Sequence, residues 1–109
     1  MPSLAAEDYH AEELADDLAA RGFRYLRVRR RGALLTIESG PKKDPVPHAR
    51  LRRDGVHLWI LEMPTHTGIW EVTPYRQHIG AQLELLVTQL AWALAPMPSI
   101  PKRTSGRRY

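Results

Sequence analysis

Cysteine is absent from this chain of 109 residues. Its absence excludes disulfide bonds, thiolate zinc sites, iron–sulfur ligation and catalysis by a cysteine nucleophile. Long apolar runs are also missing, since no segment approaches the roughly 20 residues that a membrane-spanning helix needs. The acidic N-terminal residues lack the basic and then apolar pattern of a signal peptide. We therefore expect a soluble cytoplasmic protein with one domain, because about 100–200 residues is the usual size of a domain.

Lysine is scarce as well, with 3 lysines against 13 arginines. The formal net charge of +4 conceals an uneven distribution: residues 1–20 carry −6, residues 21–53 carry +9, residues 54–95 carry −3 and residues 96–109 carry +4. A basic segment of this kind can attract a polyanion. An arginine-rich and alanine-rich composition of bacterial type also arises in a GC-rich genome without selection for binding, so both explanations remain open.

Hydrophobic periodicity and turn residues predict a helix, five strands and a second helix. The first helix is expected over residues 4–21, with Ser3 as N-cap and Gly22 after its end. The strands are expected at 23–30, 33–39, 48–53, 56–62 and 69–73, where Pro74 ends the last one, and the second helix at 78–94. We predict an α+β two-layer sandwich: an antiparallel five-stranded meander sheet with both helices on one face. Residues 1–95 would form the domain, and residues 96–109 a flexible basic tail.

Two short glycine turns predict the strand registers and therefore the two faces of the sheet. With Arg31-Gly32 and Asp54-Gly55 as turns, Val28 pairs with Leu35 and Leu51 pairs with Leu58, which places apolar residues under the helices. Trp70 and Val72 are expected to point inward too. The outer face would then carry Tyr25, Arg27, Arg29, Leu34, Thr36, His48, Arg50, Arg52, His57, Trp59, Leu61 and Ile69.

This mixture of arginines, aromatic rings and aliphatic side chains permits three interpretations. The face could be solvated and covered by its own side chains, with Arg50 stacked on Trp59. It could bind a protein partner or a second copy of the chain, or it could stack and pair with RNA or single-stranded nucleic acid. We favour a non-catalytic protein-binding module. The candidate binding residues are Tyr25, Arg27, Arg29, Arg50, Arg52, His57, Trp59 and Leu61, joined by Lys102, Arg103, Arg107 and Arg108 of the tail.

We expect no catalytic residues, no metal site and no cofactor. His57 and Glu62 are predicted on opposite faces of one strand, so they would not share a metal, and no His-x-x-x-His pair lies on a helix. His66 and Glu71 could be written as an acid–base pair, but nothing supplies a nucleophile or an oxyanion site. The acidic first helix is expected to be offset by a basic segment of the same molecule or by a basic partner.

The order of the elements is similar to the arrangement of the frataxins. The likeness is carried by the stretch GALLTIESG at 32–40, the tryptophan strand VHLWIL at 56–61 and the acidic first helix. The resemblance implies iron handling as a remote alternative function. The connection between the last strand and the last helix is shorter, and the middle of the chain more basic, than in that family. Small immunity proteins and antitoxins use similar compact frames, which gives a second remote alternative.

Overall fold

Three helices and five strands make up the computed structural model, which describes residues 4–96. The strands form one antiparallel sheet whose spatial order β1-β2-β3-β4-β5 is the order in the chain. The predicted α+β meander sheet is therefore confirmed. The elements in chain order are α1 (Asp8–Ala20), β1 (Arg27–Arg31), β2 (Leu34–Ser39), β3 (Val46–Arg53), β4 (Trp59–Pro64), β5 (Trp70–Gln77), α2 (Ile79–Thr88) and α3 (Ala91–Leu94).

The hydrophobic core lies between the helices and one face of the sheet. Leu14 and Leu18 of α1, Leu86 of α2 and Leu94 of α3 are fully buried in one cluster with side chains from the sheet. Its members from the central strands are Leu35, Ile37, Ala49, Leu51, Trp59 and Leu61. All helical core residues belong to this one cluster, so no helix of residues 4–96 covers the opposite face of the sheet.

The first helix begins later than the sequence predicts. Its N-cap is Glu7 instead of Ser3, and a capping box joins Glu7 to His10, whose Nδ1 accepts the backbone N–H of Glu7 at 2.9 Å. The preceding segment is held elsewhere, because the N–H of Ala6 donates to the carbonyl of Gly32 at 2.8 Å. The predicted end is confirmed: Gly22 follows the helix with φ +96°, a conformation that favours glycine.

The predicted single helix over 78–94 is wrong, since it is divided into α2 and α3 at Gln89 and Leu90. At the end of α2 the hydroxyl of Thr88 donates back to the carbonyl of Glu84. The change of direction turns Leu94 into the core. Among residues 4–96, no helix combines the length and the apolar character that a membrane crossing requires.

The first hairpin is shifted by two residues from its predicted register, which leaves both faces as predicted. Arg31 pairs with Leu34 and Val28 pairs with Ile37, so the two turn residues are Gly32 and Ala33. Gly32 has φ +58°, which suits a turn with glycine at its first central position. Because side chains alternate with a period of two, an even shift keeps every residue on its own side of the sheet.

The second hairpin is shifted by three residues, and this shift inverts β4. Arg53 pairs with Trp59 and Leu51 with Leu61, so residues 54–58 form a five-residue connection closed by the N–H of Asp54 donating to the carbonyl of Leu58 at 2.8 Å. Trp59 and Leu61, predicted on the outer face, are buried under the helices. The edge of the His10 ring lies against Trp59 at a centroid distance of 5.0 Å.

The last strand is longer than predicted and faces the other way. It runs through Pro74, which an edge strand tolerates because its N–H side is free. Trp70 pairs with Pro64 and Val72 pairs with Glu62 across an irregular ladder. Trp70 and Val72 therefore lie on the uncovered face, which corrects their predicted inward position. The irregularity is bridged from α2 by Gln82, whose Nε2 donates to the carbonyls of Trp59 at 2.8 Å and Tyr75 at 2.9 Å.

The buried position of Trp59 predicts a large loss of stability in Trp59→Ala. We expect the free energy of unfolding to fall by about 3–5 kcal/mol, because a large core side chain is deleted. Trp92→Ala is the matched control: the side chain is 72% exposed, and the expected change is within about 0.5 kcal/mol. Urea unfolding followed by circular dichroism measures both variants. If both variants were equally stable, the indole of Trp59 would lie outside the core, as in the register predicted from the Asp54-Gly55 turn.

Candidate binding face of the sheet

The face opposite the helices, called here the open face, carries arginines, two glutamates and several apolar side chains. Alternation along each strand and the observed pairing assign its members. Its charged, hydroxyl-bearing and larger apolar members are Arg27, Arg29 and Arg31 on β1, Leu34, Thr36 and Glu38 on β2, Arg50 and Arg52 on β3, Ile60 and Glu62 on β4, and Trp70, Val72 and Arg76 on β5. Of the sequence-predicted residues, the structure brings Arg27, Arg29, Arg50 and Arg52 together on this face.

Glu38 is a buried carboxylate held between two arginines of the neighbouring strand. The Nε of Arg27 donates to its Oε2 and the Nε of Arg29 donates to its Oε1, each at 3.0 Å. Arg27 also donates to the carbonyl of Gly40 at 2.6 Å. A carboxylate can be buried at such a position because each oxygen has a cationic partner.

Glu62 repeats the same arrangement between β4 and β3. The Nε of Arg50 donates to its Oε1 at 2.7 Å and the Nε of Arg52 donates to its Oε2 at 2.8 Å. Burial alone would raise the pKa of the Glu62 carboxyl, but the hydrogen bonds and charges of Arg52 and Arg50 outweigh it. The pKa consequently lies below its ordinary value, and Glu62 is ionised at neutral pH.

Arg50 also stacks on an aromatic ring of the open face. Its guanidinium carbon lies 4.4 Å from the centroid of the Trp70 ring. The stacking of Arg50 was predicted with Trp59, so the type of contact is as expected and the partner is different. Held by Glu62 on one side and by Trp70 on the other, the Arg50 side chain has little freedom to move.

A shallow groove of about 370 Å³ crosses the open face between β1 and β5. Arg29, Arg31, Arg50 and Trp70 contribute to its walls, and Thr36 lies among them. Within residues 4–96, Arg31 is engaged in no side-chain hydrogen bond or ion pair. The groove therefore joins cationic groups, at least one of them uncommitted, to an apolar surface.

Tyr25 and His48 lie away from the predicted outer face. Tyr25 precedes β1, and its hydroxyl donates to the carbonyl of Leu94 at the C-terminal helix; partial burial raises its pKa. A register shift near Glu38 turns His48 toward the helices. Its Nδ1 donates to the carbonyl of Ala93 at 2.9 Å, and its Nε2 is hydrogen-bonded to the hydroxyl of Ser39 at 2.7 Å.

The remaining predicted positions lie outside the open face. His57 is exposed in the connection between β3 and β4, stacked on His78 with 6.2 Å between ring centroids. Ile69 is exposed in the turn before β5. Trp59 and Leu61 are in the core for the reason given above. The candidate tail residues Lys102, Arg103, Arg107 and Arg108 lie outside the described residues.

Sequence reasoning left out Arg31, Glu38, Ile60, Glu62, Trp70, Val72 and Arg76. Alternation along β1 and β2 was sufficient to include Arg31 and Glu38, because both follow predicted members of the face at a spacing of two. No comparable signal existed for the members on β4 and β5, whose positions depend on the register of β4. In the described part of the chain, no three His, Asp or Glu side chains come together as metal ligands would.

Among residues 4–96, one acidic side chain of α1 forms an ion pair with a basic side chain. Asp8 accepts a hydrogen bond from the Nε of Arg30 at 2.6 Å, which is the expected pairing with a basic segment of the same molecule. The other acidic side chains of the helix, Glu12, Glu13, Asp16 and Asp17, are exposed. The molecule thus carries an acidic surface on the helical side and a basic one on the open face.

Comparison with known proteins does not assign the chain to a family. No family model, no curated protein and no solved structure matches it. The function is therefore argued from the chemistry of the open face.

The buried position of Glu62 predicts a pH-dependent contribution to stability. Glu62→Gln should lower the free energy of unfolding by about 1–3 kcal/mol at neutral pH, since Arg50 and Arg52 lose their charged acceptor. The pKa of Glu62 is lowered from 4.5 in the folded protein. Its contribution is therefore complete above about pH 4.5 and disappears as the pH falls through the folded-state value.

Unfolding in urea at a series of values between about pH 3 and pH 7 measures this difference. Glu84→Gln is the control, because Glu84 forms an exposed ion pair with Arg21 and its loss should change stability little at any pH. A Glu62→Gln effect that is constant with pH would mean that the carboxylate charge does not stabilise the fold.

Proposed function

We propose that this protein is a non-catalytic binding module that presents the open face to an acidic surface of a protein partner. The observation that carries the proposal is one sheet face, not covered by any helix of residues 4–96, on which six arginines lie among the apolar side chains of Leu34, Ile60, Trp70 and Val72. Val72 is 67% exposed. Arginine and tryptophan are enriched at the centres of protein interfaces, where they contribute most of the binding energy.

The charge of the open face favours a partner of opposite sign. Its six arginines exceed its two glutamates by four positive charges, and Asp54, which pairs with Arg76, reduces this excess to three. Packing this face against the same face of a second copy would oppose like charges, which costs several kcal/mol when they are desolvated. An acidic partner would gain attraction instead, together with faster association. We therefore place a different protein before the homodimer as the occupant.

The nucleic-acid alternative loses its main support. It required aromatic rings free to stack on bases, and Tyr25 and Trp59 were the expected rings. Neither is on the open face, and the Trp70 ring that replaces them has Arg50 against it at 4.4 Å. Binding of single strands usually relies on several stacking platforms along a groove. Arginines without these platforms fit carboxylates at least as well as phosphates.

The non-catalytic part of the proposal is supported by the positions of the residues considered for chemistry. His66 and Glu71 are both solvent-exposed beside the turn between β4 and β5. Acid–base groups in enzymes are usually desolvated in a cleft, which shifts their pKa values toward the working pH. Iron handling and an immunity or antitoxin role remain remote alternatives that no described contact favours.

Site-specific cross-linking tests the proposal. A photoreactive amino acid at position 72 should give an adduct with one protein in the native cells, because Val72 lies on the open face. The same group at position 56 is the control, since Val56 is 60% exposed but lies in the connection between β3 and β4. The adduct should disappear in the Arg31→Glu variant, and the cross-linked peptide of the partner should be acidic.

Other outcomes contradict the proposal in distinct ways. An adduct of twice the chain mass would assign the face to self-association, and an adduct removed by nuclease would assign it to nucleic acid. Equal adducts from positions 56 and 72, or none from position 72, would remove the open face as the interface.

A further inference from the structure

One buried hydroxyl of the open face has no hydrogen-bond partner among residues 4–96. Thr36 is only 7% exposed, and within residues 4–96 its Oγ1 is engaged in no hydrogen bond. Buried polar groups are nearly always paired, and an unpaired one costs about 1–3 kcal/mol. Thr36 lies in the groove of the open face. Its hydroxyl is therefore a donor available to a ligand that enters the groove.

The groups around Thr36 are also hydrogen-bond donors. Its direct cross-strand neighbours are Arg29 on β1 and Arg50 on β3, and Arg31 lies on the same face two residues beyond Arg29. Arg29 uses its Nε for Glu38, which leaves its two terminal nitrogens for another acceptor. Arg31 has no side-chain partner in the described part of the chain. One hydroxyl and several guanidinium N–H groups thus line a single site.

We propose that this groove is a carboxylate-binding subsite that receives one aspartate or glutamate side chain of the partner. The proposal rests on the proposed protein-binding function and specifies the chemistry recognised at the centre of the open face. The Thr36 hydroxyl and the free nitrogens of Arg29 and Arg31 donate to the two carboxylate oxygens, as charge-assisted hydrogen bonds. The indole of Trp70 provides an apolar wall for the methylene groups of the bound side chain.

Glu38 on the wall of the groove favours a carboxylate over a phosphate. Arg29 and Arg50 each share one glutamate with a second arginine, and Arg31 is the one arginine of the groove without such a pairing in residues 4–96. Of the residues that line the groove, Arg29, Arg31 and Arg50 exceed Glu38 by two positive charges. A phosphomonoester carries about −1.5 to −2 at neutral pH, and Glu38 on the wall of the groove would repel it more strongly than a carboxylate.

Titration with blocked tripeptides tests the subsite without knowledge of the partner. The full chain, labelled with ¹⁵N, is titrated at constant ionic strength with a tripeptide whose central residue is glutamate, between two alanines. We expect amide shifts concentrated at Thr36, Arg29, Arg31 and Arg50, and none with the corresponding glutamine tripeptide. Thr36→Val should raise the dissociation constant about tenfold, because it removes the hydroxyl at nearly constant volume.

Three further variants separate hydroxyl and charge from structure. Thr36→Ser should restore binding, since it returns the hydroxyl. Arg31→Gln should weaken binding about tenfold, and Arg24→Gln should leave it unchanged because Arg24 is exposed outside the open face. Arg31 is exposed as well, so its variant decides the question even if Thr36→Val does not fold.

The outcomes distinguish this proposal from the proposed function. Equal shifts with the glutamine tripeptide, or unchanged affinity in both Thr36→Val and Arg31→Gln, would overturn the subsite. Tighter binding of a phosphoserine tripeptide would assign the groove to phosphate instead and also overturn it. Cross-linking at position 72 with no carboxylate binding would retain the protein-binding face and reject the subsite. Carboxylate binding with no adduct at position 72 would retain the subsite and reject the open face as a protein-binding surface.

Discussion

Two buried carboxylates, each held between two arginines, determine the chemistry of the open face. Burying a carboxylate costs several kcal/mol unless cationic partners and hydrogen bonds compensate it. Glu38 and Glu62 meet this condition because β1 and β3 present arginines at a spacing of two on the same side of the sheet. The arginines are fixed in return. Side chains that are already ordered lose less conformational entropy when a ligand binds, so the carboxylates pre-organise the cationic surface around them.

The requirement that a buried carboxylate has cationic partners also favours the observed register of β4. In the predicted two-residue turn at Asp54-Gly55, Glu62 would lie on the helical side and the indole of Trp59 would lie among the arginines. The five-residue connection reverses both: Trp59 enters the core, and Glu62 reaches Arg50 and Arg52. Gly55 is not among the glycines with positive φ, so the turn type that an Asp-Gly pair favours does not form. Burial of a large aromatic ring and pairing of a carboxylate together outweigh the local turn preference.

The sequence was sufficient for the fold class, the number of strands and their order, because these follow from local patterns. It was also sufficient for the faces of β1, β2 and the part of β3 from Ala49 onward, where polar and apolar residues alternate, as in Leu35, Thr36 and Ile37. His48 was assigned to the wrong face because it lies at a register shift of β3. The faces of β4 and β5 could not be predicted in this way. Trp59, Ile60 and Leu61 are consecutive apolar residues. Apolar side chains therefore enter the core whether Trp59 and Leu61 or Ile60 point inward. Which of the two arrangements β4 adopts depends on its contacts with His10, Gln82 and Arg50, which come from distant parts of the chain.

Thr36 connects the stability of the sheet with its binding chemistry. A valine at this position would leave no unpaired hydroxyl and would suit a buried strand, so the threonine is not required by the fold. Exposed aliphatic residues such as Val72 are common on protein surfaces and prove little by themselves. A buried hydroxyl that has no hydrogen-bond partner in the described part of the chain and lies between Arg29 and Arg50 is less common. It offers a hydrogen bond at the point where the surrounding arginines provide positive charge, and an acidic side chain of a partner would complete that arrangement.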